Sequence, residues 1–187
     1  MFYGCTSLTT APELPATTLA DSCYQSMFNS CTSLTTAPEL PATTLAGSCC
    51  SRMFDGCTSL TTPPSVLPAT TLADSCYRYM FDGCTSLTTA PALPATTLDD
   101  YCYGRMFGNC TALTTAPELP ATMLAEGCYN NMFSSCIKIK LSTTQTGEYQ
   151  TAYRIPKSGT GTTATNALTD MFANTGGTFK GTPSINT

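Results

Sequence analysis

Histidine and tryptophan are missing from the sequence, and charged residues make up only 11% of its 187 positions. An average soluble domain carries roughly 25% charged residues. Without an imidazole, the chain lacks the most frequent general base and the usual activator of a cysteine or serine nucleophile. It also shows no convergent pair of acids. We therefore expect no enzymatic activity and no cofactor.

Strong positive charge and long apolar runs are missing as well. The net charge is −4 and the few basic residues are scattered, which disfavours binding to a nucleic-acid backbone. No apolar run approaches the roughly 18 residues that a membrane span needs. Met1 is not followed by the charged and apolar regions of a secretory signal. We expect a soluble chain without nucleic-acid binding or membrane insertion, and any export signal would lie upstream of Met1.

What the sequence has in abundance is an internal repeat. A Met-Phe pair recurs in steps of 26, 26, 27, 26, 26 and 39 residues, and the prolines of the TAPELP segment keep the same spacing. A fixed period of this length is typical of solenoids, in which each unit buries its apolar face against the next. The pairs begin at Met1, Met27, Met53, Met80, Met106, Met132 and Met171.

Each unit predicts a short helix followed by a short extended segment. In CYQSMF, the side chains of Cys23, Met27 and Phe28 would share one helical face. The segment CTSLTTAPEL predicts a short strand whose leucines face inward, because its prolines exclude a long central strand. We therefore predict an α/β repeat: a right-handed, leucine-rich-repeat-like solenoid with one short strand and one short helix or 3₁₀ turn per rung.

The longest step of the repeat predicts an insertion near the C-terminus. Residues 1–136 are expected to form a solenoid of about five units that starts mid-repeat. The extra residues fall between Cys136 and Pro156, where apolar and polar residues alternate on both sides of a Thr-Gly break. That pattern predicts a β-hairpin. Residues 137–187 are thus expected to be the hairpin insertion and a degenerate C-terminal capping repeat of the same domain.

The N-terminus is expected to be uncapped, because Met1 aligns with Met27 in the middle of a repeat. We expect either that the chain is a fragment of a longer protein or that its first rung is exposed and self-associates.

The segment MFxxCTSLTTAPELPATTLA resembles the 26-residue repeat of the BspA-like group of leucine-rich repeats, in which a Phe, a Cys and a Leu recur at this spacing before an apolar residue and proline. The likeness is strong over residues 1–136 and weak over 150–187. It implies a bacterial cell-surface or secreted protein that binds or adheres to a host or bacterial macromolecule, either protein or glycan. The second cysteine of each unit and the hairpin depart from the family pattern.

Eleven of the twelve cysteines fall into two columns of the aligned repeats, and Cys50 stands where the other units have tyrosine. One interpretation is two ladders of buried free thiols, which pack as small hydrophobes. Another is disulfides, which the even count and an extracellular setting favour. A metal site is a third, but the spacings of 8 and 18 and the lack of histidine disfavour it. The columns are Cys23, Cys49, Cys76, Cys102 and Cys128, and Cys5, Cys31, Cys57, Cys84, Cys110 and Cys136.

Threonine and acidic residues form further columns. Threonine suits a pleated strand, and stacked hydroxyls are expected to bond between rungs. Since neighbouring strand residues point to opposite faces, each TT pair predicts single-file columns rather than a flat array that orders water. Acids at the helix starts are expected to cap helices rather than to bind Ca²⁺. They are Asp21, Asp74, Asp100 and Glu126.

The positions that vary between units indicate where a partner would bind. The strand CTSLTTAP is nearly invariant, whereas positions 25–26, 51–52, 78–79, 104–105 and 130–131 differ from unit to unit. The tyrosine column predicts either half-buried packing between helices or a stripe on which a sugar ring or a partner chain stacks. The candidate binding surface consists of Tyr24, Arg52, Tyr77, Arg78, Tyr103, Arg105 and Tyr129.

These patterns leave two functions open. One is a non-enzymatic protein-binding or adhesion module of a bacterial cell-surface or secreted protein. The other is a rigid structural spacer or stalk in an envelope or phage-tail-like assembly, which the near-identity of the units favours.

Thiol titration of the denatured protein without reductant distinguishes the interpretations of the cysteines. We expect most of the 12 cysteines to react as free thiols. Nearly complete oxidation would show that the columns are disulfide staples instead.

Overall fold

A computed structural model describes residues 1–142, 150–151 and 164–176. Within these residues there is no helix, and the only strands of more than one residue are β1, Leu141–Ser142, and β2, Gln150–Thr151. The rest of the described chain consists of turns, irregular segments and isolated β-bridges. The short helix predicted as one alternative for each rung is therefore absent from the described residues, and turns stand in its place.

A run of ten consecutive turn residues takes the place of each predicted helix. Within a run, backbone N–H groups alternate between two kinds of acceptor. The amide of Met80 donates to Tyr77 O three residues earlier, at 3.1–3.2 Å as in its counterparts, whereas the amide of Phe81 donates to Met106 O in the next repeat at 2.9 Å. An α-helix would instead bond each amide to the carbonyl four residues earlier. The turn runs span residues 21–30, 47–56, 74–83, 100–109, 126–135 and 165–174.

Every fourth residue of a turn run has a left-handed backbone conformation, which explains why no helix forms. In the first full run, φ is 54° at Ser22, 53° at Ser26 and 61° at Ser30. A positive φ interrupts an α-helix, and the third residue of a type II turn requires one. Holding a non-glycine residue in this region costs about 1–3 kcal/mol, which the bonds between repeats offset.

Successive repeats lie directly on one another. Isolated parallel bridges join equivalent positions of neighbouring units, such as Thr10 with Thr36 and Thr36 with Thr62. Along the interior, phenylalanine rings stack with centroid separations of 5.3–5.6 Å and interplanar angles of 2–11°. The stacked rings show that equivalent positions of the repeats lie on one another, while the solenoid, its handedness and its leucine-rich-repeat class stay predictions. The stacked rings are Phe2, Phe28, Phe54, Phe81, Phe107, Phe133 and Phe172.

The core is made of columns in which each repeat contributes the same residue type. The inward-facing leucines of the extended segments are buried as predicted, with Leu34, Leu60 and Leu87 all at 0% exposure. Methionine, phenylalanine, cysteine and alanine form parallel buried columns beside them. Because a unit exposes these apolar side chains on both of its faces, it needs neighbours to bury them.

The C-terminal region continues the stack after the insertion. The amide of Phe133 donates to Met171 O at 2.9 Å, so the run 165–174 lies on the run 126–135. The amide of Thr175 donates to Phe172 O, as Cys136 does to Phe133 O, which puts Thr175 in the cysteine position.

The predicted hairpin is not seen in the strands that the structure describes. Strands β1 and β2 pair in parallel, Leu141 with Gln150 and Ser142 with Thr151, whereas a hairpin pairs antiparallel. The remainder of the predicted hairpin, residues 143–149 and 152–156, lies outside the described residues.

Replacing Phe81 by alanine tests the continuous ring stack. Phe81 is fully buried between Phe54 and Phe107, so Phe81→Ala should lower the free energy of unfolding by about 3–5 kcal/mol in urea titrations. Phe2→Ala is the matched control, because Phe2 is partly exposed and stacks only on Phe28 among the described rings. Equal losses in the two variants would contradict the stack.

Candidate binding surface

The positions that vary between repeats lie in the middle of the turn runs. We call residues 25–26, 51–52, 78–79, 104–105 and 130–131 the turn ridge. Eight of these ten residues are exposed or partly exposed, so the ridge is available to a partner although its flanking columns are core. The second residue of each pair has a positive φ, between 53° and 58°. The turn ridge is therefore built by the same four-residue pattern that forms the turn runs.

Arginine and tyrosine side chains interleave along the ridge. The Arg52 guanidinium lies 4.2 Å from the centre of the Tyr79 ring, and the Arg78 guanidinium lies 5.1 Å from that ring and 4.9 Å from the ring of Tyr101. Such contacts stabilise a cation over an aromatic face. The Tyr101 ring lies so close to Gly127 that a Cβ there would overlap it. Glycine at that position therefore lets the aromatic ring lie flat on the next repeat.

Acidic and amide groups partner the other ridge cations. Arg52 Nη1 lies 3.1 Å from Asp55 Oδ2, and Arg105 Nε lies 3.0 Å from Asp82 Oδ2. Burial, with the negative charge of Asp82, raises the pKa of Asp55 against the opposing effect of Arg52. Within the part of the chain that the structure describes, Arg78 forms no ion pair.

Three of the predicted surface tyrosines belong to the core instead. Tyr77, Tyr103 and Tyr129 are 2%, 1% and 0% exposed, and their rings stack on one another with centroids 5.9 Å apart. They cannot line a binding surface, so the sequence prediction for these three is wrong. Tyr24 is partly buried, and Cys50 takes the tyrosine position of the next unit. Of the predicted surface residues, Arg52, Arg78 and Arg105 remain on the ridge.

All 12 cysteines are free thiols, and ten of them are buried. Thiols of the column that follows the turn runs donate to phenylalanine carbonyls of the preceding repeat, as Cys57 does to Phe28 O and Cys84 to Phe54 O, at 3.1 Å each. A hydrogen bond joins the thiols of the neighbouring residues Cys49 and Cys50. It lowers the pKa of Cys49 and, together with burial, raises the pKa of Cys50. In the described residues, no group of cysteine and acidic side chains is arranged to hold a metal ion. The arrangement supports the interpretation of the columns as buried ladders.

The threonine pairs differ from the prediction. Both members of each LTT pair are exposed, because the segment forms isolated bridges rather than a pleated strand that alternates its faces. Some of their hydroxyls bond between repeats as expected: Thr61 Oγ1 donates to Thr35 O at 3.2 Å and Thr114 Oγ1 to Thr88 O at 3.4 Å.

The acids at the run starts do not cap helices, since the described residues contain none. Instead, the side chains of Asp21 and Asp100 accept backbone amides of the next repeat, while those of Asp74 and Glu126 accept the hydroxyls of Ser75 and Tyr101. Gly47 N donates to Asp21 Oδ1 at 2.9 Å, and Glu126 N donates to Asp100 Oδ1 at 3.0 Å. These two carboxylates therefore align neighbouring repeats.

Among the described residues, the buried hydroxyls of Tyr103 and Tyr129 find no hydrogen-bond partner, and burial raises the pKa of both groups. An unsatisfied buried polar group costs about 1–3 kcal/mol. Tyr129→Phe should therefore raise the free energy of unfolding by roughly 1 kcal/mol or more in urea titrations. Tyr101→Phe serves as the control, because it removes an exposed hydroxyl that donates to Glu126 at 2.9 Å and should change stability little. A Tyr129→Phe variant less stable than the wild type would contradict the claim that the buried Tyr129 hydroxyl makes no hydrogen bond.

The thiol ladders predict a loss of stability in alkali. Burial raises the pKa of Cys57, Cys128 and Cys136 from 9.0 to about 12 in each case. Each protonated buried thiol stabilises the folded state fully at pH values below the pKa that the thiol has in the unfolded chain. That stabilisation is lost as the pH rises through the pKa that the thiol has in the folded state. Between pH 9 and 12, each such thiol should lower the free energy of unfolding by about 1.4 kcal/mol per pH unit.

Urea midpoints between pH 7 and 11 measure this dependence. Cys57→Ala is the variant to compare, since it should be less stable at pH 7 but should show a shallower decline above pH 9. A midpoint that does not change above pH 9 would contradict the buried protonated ladders.

No helix in the described residues is long and apolar enough to cross a lipid bilayer. The chain matches no protein-family model, no curated protein and no solved structure. Its resemblance to the BspA-like repeats therefore rests on the sequence pattern, and its function has to be argued from the stacked repeats and the turn ridge.

Proposed function

We propose that this protein is a non-enzymatic binding or adhesion module, secreted or displayed at a bacterial cell surface, that binds a protein or glycan through the turn ridge. The observation that carries the proposal is the distribution of sequence variation. Side chains of the interior columns repeat from unit to unit, whereas those of the ridge change and are mostly accessible.

The chemistry of the ridge suits recognition of a macromolecule. Arginine and tyrosine are enriched at protein interfaces and at the residues that dominate binding energy. Here they are held in fixed positions by contacts with one another, such as Arg52 over Tyr79 at 4.2 Å. Stacked repeats also provide an extended surface, so several weak contacts along the ridge act on one ligand.

The state of the thiols supports a role without catalysis. The nucleophilic form of cysteine is the thiolate, and burial raises the pKa of most thiols in the two ladders, including Cys84 and Cys110. Such thiols stay protonated at neutral pH. The chain also contains no histidine that would activate the two exposed ones, Cys5 and Cys23.

A rigid spacer or stalk in an envelope or phage-tail-like assembly is the second candidate. The continuous stack of phenylalanine rings favours it, because interplanar angles of 2–11° make each repeat add a nearly constant increment of length. A spacer needs no particular side chains on the ridge, and this difference separates the two functions.

Arrays of glycans and extracellular-matrix proteins, probed with the full chain, test the proposal. The informative variant is Arg52→Ser, Tyr79→Ser and Arg105→Ser combined. It places at three ridge positions the residue that Ser26 already has there, with a similar positive φ. We expect the wild-type chain to bind at least one arrayed ligand and this variant to lose that binding.

A control variant changes three exposed threonines outside the ridge, Thr36, Thr62 and Thr89, to alanine. It should bind as the wild type does. Silence of the wild-type chain on every array would favour the spacer, and full binding by the ridge variant would show that the ligand binds elsewhere.

A further inference from the structure

A polar pocket of about 230 Å³ lies across three consecutive turn runs. Its lining includes the guanidinium groups of Arg52 and Arg78 and the side chains of Ser48, Ser51 and Ser75. Gln25 and Tyr79 complete it. Pockets that enclose a whole small molecule measure about 300–1,000 Å³, so this one suits a single polar group rather than an entire ligand.

The hydrogen-bonding groups of the pocket are mostly donors. A guanidinium donates through five N–H bonds and accepts none, while serine hydroxyls and the glutamine amide can also donate. Ser51 Oγ donates to Arg78 O at 3.2 Å, which ties the second run to the third. Ser75 Oγ donates to Asp74 Oδ1 at 3.3 Å. A group that fills this pocket must therefore be chiefly an acceptor.

Two guanidinium groups converge on this pocket, and they are unequally neutralised. The pair with Asp55 at 3.1 Å partly offsets the charge of Arg52. Arg78 has no ion pair among the described residues and is held only against the rings of Tyr79 and Tyr101. Asp55 pairs with Arg52, and Asp74 accepts the Ser75 hydroxyl, so the Arg78 guanidinium, which has no ion pair among the described residues, is the group that attracts an anion.

The pocket is specific to one place along the stack. In the other units, the position of Arg78 is taken by Gln25, Ser51, Gly104 and Asn130. Within the described residues, no second pair of arginines on adjacent runs shares a tyrosine ring as Arg52 and Arg78 share Tyr79. The site is therefore not a general consequence of stacking.

We propose that this pocket binds a tetrahedral oxyanion, a sulfate or phosphate group, either attached to an acidic glycan or free in solution. Arg78 and Arg52 are the charged ligands, since a guanidinium matches the oxygens of such a group with two parallel hydrogen bonds. The Ser48 hydroxyl and the Gln25 amide donate to the remaining oxygens, since the hydroxyls of Ser51 and Ser75 already donate to Arg78 O and Asp74 Oδ1. The identity of the macromolecule that carries the oxyanion rests on the proposed function. The binding of the oxyanion itself does not.

Titration of the full chain with sodium sulfate and sodium phosphate, followed by amide chemical shifts in NMR spectra, tests the pocket. Sodium chloride at equal ionic strength is the reference. Saturable shifts are expected at Ser48, Ser51, Ser75 and Arg78 with at least one of the two oxyanions. Shifts that match those in chloride would overturn the proposal.

Three variants identify the groups that bind. Arg78→Gln and Arg52→Ser place at these positions the residues that Gln25 and Ser26 have at the aligned positions of the run 21–30, and each should weaken oxyanion binding by about tenfold or more. The matched control is Lys138→Ser, which removes an exposed cation that lies outside both the turn ridge and the pocket. It should leave the affinity within about twofold. Equal weakening of oxyanion binding by all three variants would mean non-specific charge attraction and would overturn the site. Unchanged NMR spectra outside the pocket verify that each variant folds.

A sulfated oligosaccharide and its desulfated counterpart of the same length distinguish the source of the oxyanion. Tighter binding of the sulfated sugar than of free sulfate supports a glycan ligand, while binding of the free ions alone supports a solution anion. If the chain binds sulfate or phosphate but binds no ligand on the arrays, the proposed function is refuted and the oxyanion pocket is not. Binding of an array ligand, together with sulfate and phosphate shifts that match those in chloride, would refute the pocket and leave the proposed function standing.

Discussion

In the first five turn runs, half of the backbone amides depend on the next repeat for their hydrogen bonds. In the run 74–83, the amides of Ser75, Tyr77, Tyr79, Phe81 and Gly83 all donate to carbonyls of the run 100–109, while those between them bond three residues back. A single run would leave these groups without protein partners and its apolar columns exposed. The folding of each unit is therefore inseparable from stacking, and the left-handed residues are tolerated because the neighbouring runs hold them in place.

Stacking in register places every interior side chain against its own counterpart. This selects residues that pack well against themselves: phenylalanine rings that stack at 5.3–5.6 Å, and small thiols that fit a narrow column. Cysteine adds a weak donor, which Cys57 and its counterparts direct at a phenylalanine carbonyl of the preceding repeat. Tyrosine fits less well, since the buried hydroxyls of Tyr103 and Tyr129 find no hydrogen-bond partner in the part of the chain that the structure describes. The interior has little freedom to vary, so variation is concentrated on the ridge.

The period, the inward-facing leucines and the buried columns of cysteine could be predicted from the sequence, because they follow from spacing alone. The helix could not be excluded in this way, since Cys23, Met27 and Phe28 share a face in a helix and are also compatible with a ribbon of turns. A signal for the turns was present in Gly56, Gly83 and Gly127, each of which occupies a left-handed position. The burial of Tyr77 and the convergence of Arg52 with Arg78 depend on how adjacent runs are aligned, which no single unit encodes.

Hydrogen-bond scalar couplings measured by NMR on the deuterated protein test the stacked turn ribbon most directly. They report which carbonyl accepts each amide. We predict a coupling from the amide of Phe81 to the carbonyl carbon of Met106, and one from the amide of Met80 to that of Tyr77. A coupling from the amide of Phe81 to the carbonyl of Tyr77, four residues earlier, would indicate a helix and would contradict this account.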